Sequence, residues 1–239
     1  MRHRRIGATD LVASEVGLAV GPLVAGPGAR SDDEVAELLG AALDLGIGYF
    51  AATDSDDDGR GERLLGAAVR GHRDEVTVAT TFGYDTTPRP WEPAPAGGVR
   101  GTPEGCPGQP GPRHDWSPAF AGRALDRSLW RLDTEPVDLW LLHHPGMDAI
   151  GSGELFEFLE AQVAKGKVRA YGVALGPGPG WADEGAAALT EQRVAAVECV
   201  DNLAEPAPAG DLPPPTAEDL DRLAELREAR FGLEEETTP

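Results

Sequence analysis

The sequence lacks the features that would place the protein in a membrane or an oxidising compartment. It has two cysteines in 239 residues, Cys106 and Cys199, far apart and in no metal-ligand spacing. We therefore expect neither a disulfide framework nor a metal site. No apolar stretch approaches the roughly 18 residues of a membrane span, and no apolar run follows the basic N-terminus as in a signal peptide. We predict a cytoplasmic protein.

Positive charge is also scarce. Lys and Arg number 21 against 41 Asp and Glu, which gives a formal net charge of −20. Such a chain repels phosphate groups and anionic lipids, so we expect neither nucleic acid nor a membrane surface as a partner. Solubility is the simplest explanation of the acidity. Hydrophobic residues make up 41% of the chain, which is ordinary for one globular domain over residues 1–239.

Segments with strand and helix character alternate along the chain. We predict a hairpin over residues 2–16, strands over 16–21, 48–51, 76–80, 137–142, 168–173 and 194–200, and helices over 35–45, 62–69, 121–132, 154–165 and 181–192. Ser31 and Glu34 have the spacing of a capping box at the first helix. This alternation predicts βαβ units and a parallel sheet. Because no GxGxxG motif follows the first strand, a barrel is favoured over a Rossmann fold.

Three segments interrupt or follow the alternation of strands and helices. Residues 84–117 are rich in Pro and Gly and have no periodicity, so we predict a long loop, either a lid over a pocket or a mobile excursion. Residues 204–215 have the composition of a Pro/Ala linker. Residues 216–231 then have the pattern of a charged C-terminal helix.

Several runs resemble the aldo-keto reductase family and occur in the family's order. They begin at Arg4 (RRIG), Ala42 (ALDLGI), Glu62 (ERLLG), Ala124 (ALDRSLWRL), Val137 (VDLWLLH) and Gly166 (GKVRAYGVA). The resemblance covers residues 2–203 and 212–231. It implies a TIM-type (β/α)8 barrel with its active site at the C-terminal ends of the strands. Because only six βα units are found and no segment remains for strands seven and eight, we expect an incomplete barrel.

The resemblance also implies a catalytic tetrad, and three of its members are absent. The family uses an Asp, a Tyr that donates the proton, a Lys that lowers the pKa of that Tyr, and a His that orients the carbonyl. Ala51, Asp56 and Thr81 stand at the Asp, Tyr and Lys positions, and only His143 matches. An Asp has a reference pKa near ~3.9 and donates a proton at neutral pH only if burial raises its pKa. The inherited reaction is therefore not expected in its usual form.

Residues that the resemblance would assign to cofactor binding are also absent. In the family, NADPH lies across strands six to eight, with a Gln and then an aromatic residue on strand six. This chain has Glu198 and Asp201 in that region, and no basic residue corresponds to those that hold the 2′-phosphate. We expect no cofactor, with NADPH as the alternative.

The remaining titratable residues near the predicted strand ends form a candidate site for acid/base chemistry. Its members are His143, Asp54, Asp56, Glu198 and Asp201. Asp57 and Asp58 are better explained as a solvated turn with one Asp capping the next helix. His144 follows His143 directly, so strand alternation predicts that it points the other way, as a loop hydrogen bonder before Pro145.

Three functions are compatible with these residues. The first is an aldo-keto-reductase-like scaffold repurposed for cofactor-independent dehydration, isomerisation, cyclisation or other elimination of a small metabolite, with bacterial natural-product biosynthesis as the expected setting. The second is an NADPH-dependent reductase with a rearranged site. The third is a non-catalytic partner subunit. Because two strands are absent, both sheet edges are expected to be open, and we predict a homodimer that covers them.

Overall fold

The computed structural model describes residues 1–26, 28–86, 113–176, 181–192 and 194–199, with the backbone alone at 181 and 182. Its strands are β1 His3–Arg5, β2 Val12–Ser14, β3 Leu18–Ala19, β4 Tyr49–Thr53, β5 Thr77–Phe82, β6 Tyr84–Asp85, β7 Arg113–His114, β8 Val137–His143, β9 Val168–Ala174 and β10 Ala196–Glu198. Its helices are α1 Gly21–Val24, α2 Asp32–Asp44, α3 Arg60–Val69, α4 Pro118–Leu132, α5 Met147–Ile150, α6 Gly153–Ala164 and α7 Trp181–Glu191.

Local sequence signals set the helix boundaries. Ser31 accepts a hydrogen bond from the Glu34 amide while the Glu34 carboxylate accepts one from the Ser31 amide, so the predicted capping box is confirmed. Ser117 caps α4 through the Phe120 amide in the same way, with Pro118 at the first helical position. These caps satisfy amide groups that a helix start leaves without partners.

Six of the strands form one sheet in which every pair is parallel. The strand order is β10-β9-β8-β5-β4-β3, so each strand that follows a helix is added beside its predecessor in the βαβ series. This is the incomplete TIM-type barrel that the sequence predicted. Within the described residues, no strand pairs with the outer side of β3 or of β10.

The two faces of the sheet are packed differently. The larger core lies between the outer face and the helices and includes Phe50, Leu65, Leu125, Trp140 and Leu155. The smaller core lies on the inner face and consists of short or aliphatic residues at alternate positions: Leu11, Ala79, Leu139, Leu141, Ala170 and Ala174. Because the inner residues are small, space remains where the strands end.

Two antiparallel ribbons lie outside this sheet. β1 and β2 pair as the hairpin predicted at the N-terminus. β6 and β7 pair across the long loop, so that Tyr84 lies opposite His114 and the two ends of the loop meet. Residues 87–112, the linker at 204–215 and the helix predicted at 216–231 lie outside the described residues. Of the described helices, none is long and apolar enough to cross a membrane.

Candidate functional site

A pocket of about 210 Å³ lies at the C-terminal ends of the parallel strands. Its floor is made of small side chains, among them Ala51, Ala79 and Ala174, and titratable groups stand around it. These groups are Asp56, His143, His144 and Glu198. Parallel-barrel enzymes carry their chemistry at this end of the strands, so the pocket is the candidate active site.

The strand register explains why these side chains converge. In a parallel sheet, paired residues point to the same face. Thr53 is paired with Thr81, His143 with Ala174, and Ala174 with Glu198. The inner-face positions of β4, β5, β8, β9 and β10 therefore end in one ring of side chains around the mouth.

The four positions of the family tetrad meet in this pocket. Ala51, Asp56, Thr81 and His143 all line it, although only the last has the family's side chain. Asp56 takes the position of the proton donor, and its backbone amide donates to the Thr53 hydroxyl at 3.0 Å. Burial raises the pKa of Asp56 above its ordinary value, and neighbouring Asp57 adds to this. The positions expected for the tetrad are thus brought together, although three of their four side chains differ from those expected.

His143 is held as a neutral ring. Its Nδ1 lies 3.2 Å from the Thr81 hydroxyl. Burial, with His144 and His114 nearby, lowers the pKa of His143 to about 3. If the Thr81 hydroxyl donates to Nδ1, the ring hydrogen is on Nε2. At neutral pH, His143 is then a hydrogen-bond donor without charge, as suits a group that orients a carbonyl.

His144 also lines the pocket, which differs from the direction predicted by strand alternation. The strand ends at His143, and His144 adopts a left-handed backbone with φ of +53°. This conformation is uncommon for a residue with a side chain. Its amide donates to Ala174 O at 2.7 Å, which fixes the turn. Two consecutive histidines are thereby brought to the same pocket.

Tyr84 supports His144 and was not identified from the sequence. Its hydroxyl lies 2.8 Å from His144 Nδ1, and the residue is only 8% exposed. Its ring stacks on His114 at 4.4 Å, and His114 in turn stacks on Trp116 at 5.0 Å. These aromatic residues come from both ends of the long loop, and no local motif predicted their contact.

Asp54 lies on the other side of the sheet from the pocket. It is adjacent to Thr53 on the strand, so alternation turns its side chain away from the pocket and toward the helix layer. Burial, and next the nearby Glu62 carboxylate, raise the pKa of Asp54 well above its ordinary value. Its Oδ1 is buried without a hydrogen-bond partner. Asp54 is therefore not among the residues that line the pocket, unlike the predicted site residues Asp56, His143 and Glu198.

Beside Asp54, Glu62 forms a buried ion pair. Its carboxylate accepts from Arg131 Nε at 2.5 Å and from the Thr80 hydroxyl at 2.6 Å. The Glu62 side chain is fully buried, and that of Arg131 is 8% exposed. Gly59, with φ of +73°, lies so close to Arg131 that a Cβ there would overlap the guanidinium. This arrangement joins α3, α4 and the sheet.

Of the two acidic residues predicted on the last parallel strand, only Glu198 is within the described residues. Glu198 lies at the end of β10 and lines the pocket, where desolvation by the strand ends raises its pKa. The residue is nevertheless exposed, so water screens its charge and the raised pKa corresponds to little free energy. Asp201 lies outside the described residues. In the described part of the chain, no three His, Cys, Asp or Glu side chains are grouped as a metal site would require.

Comparison with known proteins identifies related sequences. The model of the aldo/keto reductase family matches residues 19–197. An uncharacterised oxidoreductase of Bacillus subtilis, YqkF, is 31% identical over 173 residues, which are 72% of this chain and 48% of that protein. The 6-dehydroglucose reductase of Novosphingobium aromaticivorans is 31% identical over 171 residues, 66% of this chain and 48% of that protein. The chain thus spans about half the length of these curated relatives.

Solved structures agree with the observed fold. An aldo-keto reductase of Pseudomonas aeruginosa superposes with a TM-score of 0.66 at 29% identity, over 86% of this chain and 69% of that one. This agreement supports the assignment of the six-stranded sheet as part of a barrel.

Two predictions from the sequence are wrong. The relatives are named an oxidoreductase and a reductase, so a cofactor-independent elimination, isomerisation or cyclisation conflicts with the class of enzyme to which this chain is related. For the same reason, the prediction that no cofactor takes part is overturned, since an oxidoreductase needs a partner that gives or accepts electrons. The absence of tetrad residues changes which groups can act in the pocket, but it does not by itself indicate a new reaction.

Proposed function

Because this chain belongs to the aldo/keto reductase family, we propose that it is a nicotinamide-dependent oxidoreductase with a rearranged catalytic site. One observation carries the proposal most directly. The pocket at the strand ends contains His143 at the carbonyl-orienting position, held by Thr81 and uncharged at neutral pH. Since the chain covers about half of its curated relatives, its activity, cofactor and substrate are all part of the proposal.

The described pocket fits the reacting end of a nicotinamide cofactor. Ala51, Ala79 and Ala174 leave a neutral floor, and a volume of about 210 Å³ has room for a ring or a small substrate but not for a dinucleotide. No Lys or Arg is among the described lining residues. Groups that bind the phosphates would therefore have to come from outside the described part. When bound, the nicotinamide gives or accepts the hydride.

The side chains around the floor suit a small oxygenated substrate. The 6-dehydroglucose reductase is named for an oxidised sugar. Here the pocket offers the Thr53 and Thr81 hydroxyls and the Asp56 carboxyl, which can bond the hydroxyl groups of such a compound. His143 Nε2–H would donate to the carbonyl oxygen and polarise it. We therefore propose a small polyhydroxylated aldehyde or ketone, or the matching alcohol, as the substrate class.

The proposal is tested with the full chain and reduced nicotinamide. We expect saturable fluorescence changes on titration with NADPH or NADH, and oxidation of the cofactor when an aldose, a dehydro sugar or methylglyoxal is added. His143→Ala should lower kcat by about 10²-fold or more, because it removes a donor to the developing oxyanion. His72→Ala is the matched control, since that ring lies at the surface beside Glu75.

Two results would count against the proposal. Absence of any nicotinamide binding at millimolar concentration would leave a non-catalytic role as the better explanation. Activity that survives in His143→Ala at the level of His72→Ala would remove His143 from the site.

The assembly and location of the protein belong to the same proposal. The outer sides of β3 and β10 carry no paired strand among the described residues, and unpaired parallel edges favour association. We propose a homodimer in the cytoplasm. Light scattering on the purified chain should give twice the monomer mass, and a monomer mass across the micromolar range would contradict it.

A further inference from the structure

The family's proton donor is missing, and the structure shows a second histidine in its pocket. Asp56 stands at the Tyr position but is one carboxyl without the cation that the family places beside its acid. His143 stays neutral across the range in which enzymes work, since its pKa is about 3. A reductase in this pocket needs another group that can carry a proton to the substrate oxygen.

The pair formed by Tyr84 and His144 meets the geometric requirements for that role. The Tyr84 hydroxyl holds His144 Nδ1 at 2.8 Å, so Nε2 is the nitrogen left for a ligand. His144 lines the pocket, whereas Tyr84 does not. The ring of His143 lies 4.4 Å from that of His144, so one carbonyl oxygen can be near both. We propose that His144 donates the proton to the substrate oxygen in reduction and that Tyr84 is the residue that positions its ring.

Three features show that the position of His144 is built into the fold. Its left-handed backbone is uncommon for a residue with a side chain and is fixed by the bond to Ala174. Gly176 closes the opposite side, because a Cβ there would lie 3.0 Å from the His144 ring. Tyr84 is itself fixed by stacking on His114. A ring held from these sides can present one nitrogen in a constant direction.

Reduction would transfer one hydride and one proton to the carbonyl compound. The carbonyl carbon accepts the hydride of a reduced nicotinamide, and the electron pair of the C=O π bond moves to oxygen. That oxygen takes the proton of the His144 imidazolium, so an N–H bond breaks and an O–H bond forms. His144 is left neutral and regains a proton from water. The carbonyl compound is reduced and the nicotinamide oxidised, and the reverse direction uses neutral His144 as the base.

The charge state of His144 depends on its surroundings. Burial, and next the nearby His114, lower the pKa of His144 below its usual 6.5. Beyond its hydrogen-bond partner Tyr84, the nearby titratable groups are His114 and, around the pocket, His143, Asp56, Glu198 and Cys199. Burial lowers the pKa of His114, against the raising effects of a hydrogen bond with the His143 backbone and of the Asp148 charge. The imidazolium is therefore less populated at a given pH than that of a histidine in water. Reduction should speed up as the pH falls through the pKa of His144, and oxidation should slow down.

This inference rests on the proposed function, and the following experiment distinguishes failure of the inference from failure of that function. In the full chain, His144→Gln should lower kcat for reduction by about 10²–10⁴-fold while nicotinamide binding stays unchanged. Tyr84→Phe should lower kcat by about 10-fold and move the inflection of the pH profile to lower pH, because the imidazolium loses the hydroxyl that accepts from Nδ1. His72→Ala should behave as the wild type. Wild-type inactivity would overturn the proposed function and this inference with it.

Two outcomes would overturn the inference alone. An active wild type whose His144→Gln variant keeps its kcat within twofold and its pH profile would exclude His144 as the donor. A second readout needs no turnover: the His144 ring signals are followed by NMR as the pH is changed. We expect a titration below 6.5 that moves lower in Tyr84→Phe. An unchanged titration in that variant would show that Tyr84 does not position the ring.

Discussion

The inner and outer faces of strands β4 and β5 differ in how their side chains interact, although these side chains are only one residue apart in the sequence. On the inner face, Ala51 and Thr81 stand where the family has an Asp and a Lys. On the outer face, Thr80 and the adjoining Glu62 and Arg131 form a complete buried network. The same two strands therefore border a buried ion-pair network on one face and a pocket with neutral side chains at these positions on the other.

This difference has a physical reason. Glu62 is fully buried, so loss of Arg131 would leave a charge in the core without a partner. Ala51 and Thr81 are both neutral, so neither has a charge that needs a partner. Neutral groups at the pocket therefore need no charged partner, whereas the buried Glu62 in the helix layer does. Fold and chemistry can thus vary separately on one sheet.

The largest expected effect concerns the outer face. Arg131→Ala should destabilise the protein by about 3–5 kcal/mol, because Glu62 remains buried and unpaired. The matched control is Arg70→Ala, whose ion pair with Asp133 is exposed on both sides and is worth about 0–1 kcal/mol. Urea unfolding of both variants measures the difference. Equal losses of unfolding free energy in the two variants would mean that the buried pair of Glu62 and Arg131 is no more important for stability than an exposed pair.

The next prediction concerns the inner face. A triple variant, Ala51→Asp with Asp56→Tyr and Thr81→Lys, restores the family's side chains at positions that already line one pocket. We expect carbonyl reduction to rise by about 10²-fold or more, since a Tyr beside a Lys donates its proton readily near neutral pH. Thr81→Lys alone should not do so, because its charge lacks the Asp partner. A triple variant no faster than the wild type would mean that the mouth differs by more than these side chains.

A third prediction uses the low pKa of His143, about 3 against an ordinary 6.5. The depressed pKa means that the unfolded chain binds the proton first, so stability is full above 6.5 and falls as the pH drops toward 3. The loss is at most about 1.4 kcal/mol per pH unit. Unfolding experiments across this window should show a shallower slope for His143→Gln. An identical slope would place the ring in water in the folded state.

The smallest effect is expected for Asp54. The pKa of Asp54 is raised in the folded state, whereas that of His143 is lowered, so the two residues affect stability in opposite pH directions. The contribution of Asp54 to stability is full below about pH 3.8 and is lost as the pH rises through its pKa in the folded state. Asp54→Asn removes the charge beside Glu62 and should stabilise the protein at neutral pH by about 1 kcal/mol. Thermal unfolding at pH 7 and at pH 4 checks this, with the gain confined to pH 7. Destabilisation at pH 7 would instead show that the charge of Asp54 stabilises the folded protein.

Much of the fold could be predicted because its signals are local. The capping box of Ser31 and Glu34 fixed the start of α2, and the apolar run from Val137 fixed β8 to within one residue. The order of such segments predicted the parallel sheet. The positions of Ala51, Asp56, Thr81 and His143 in one pocket also followed, because strand ends of a parallel barrel meet at one rim.

The parts that were missed depend on contacts between distant residues or on a single backbone angle. His144 turns into the pocket because its φ is +53°, which no residue pattern in a His-His-Pro run specifies. Tyr84 reaches His144 because β6 and β7 pair across a long loop. Asp54 differs from Asp56 because one continues the strand's alternation and the other follows in the turn after it.

By itself, the sequence determined that this chain forms parallel βα units, that its mouth lacks three members of the tetrad, and that one His remains there. Capping, periodicity and alternation are properties of neighbouring residues, so they can be read without a structure. Only the tertiary structure decided which titratable groups share the pocket. The closing of the loop ends brings Tyr84 onto His144, and burial then sets the charge of both histidines.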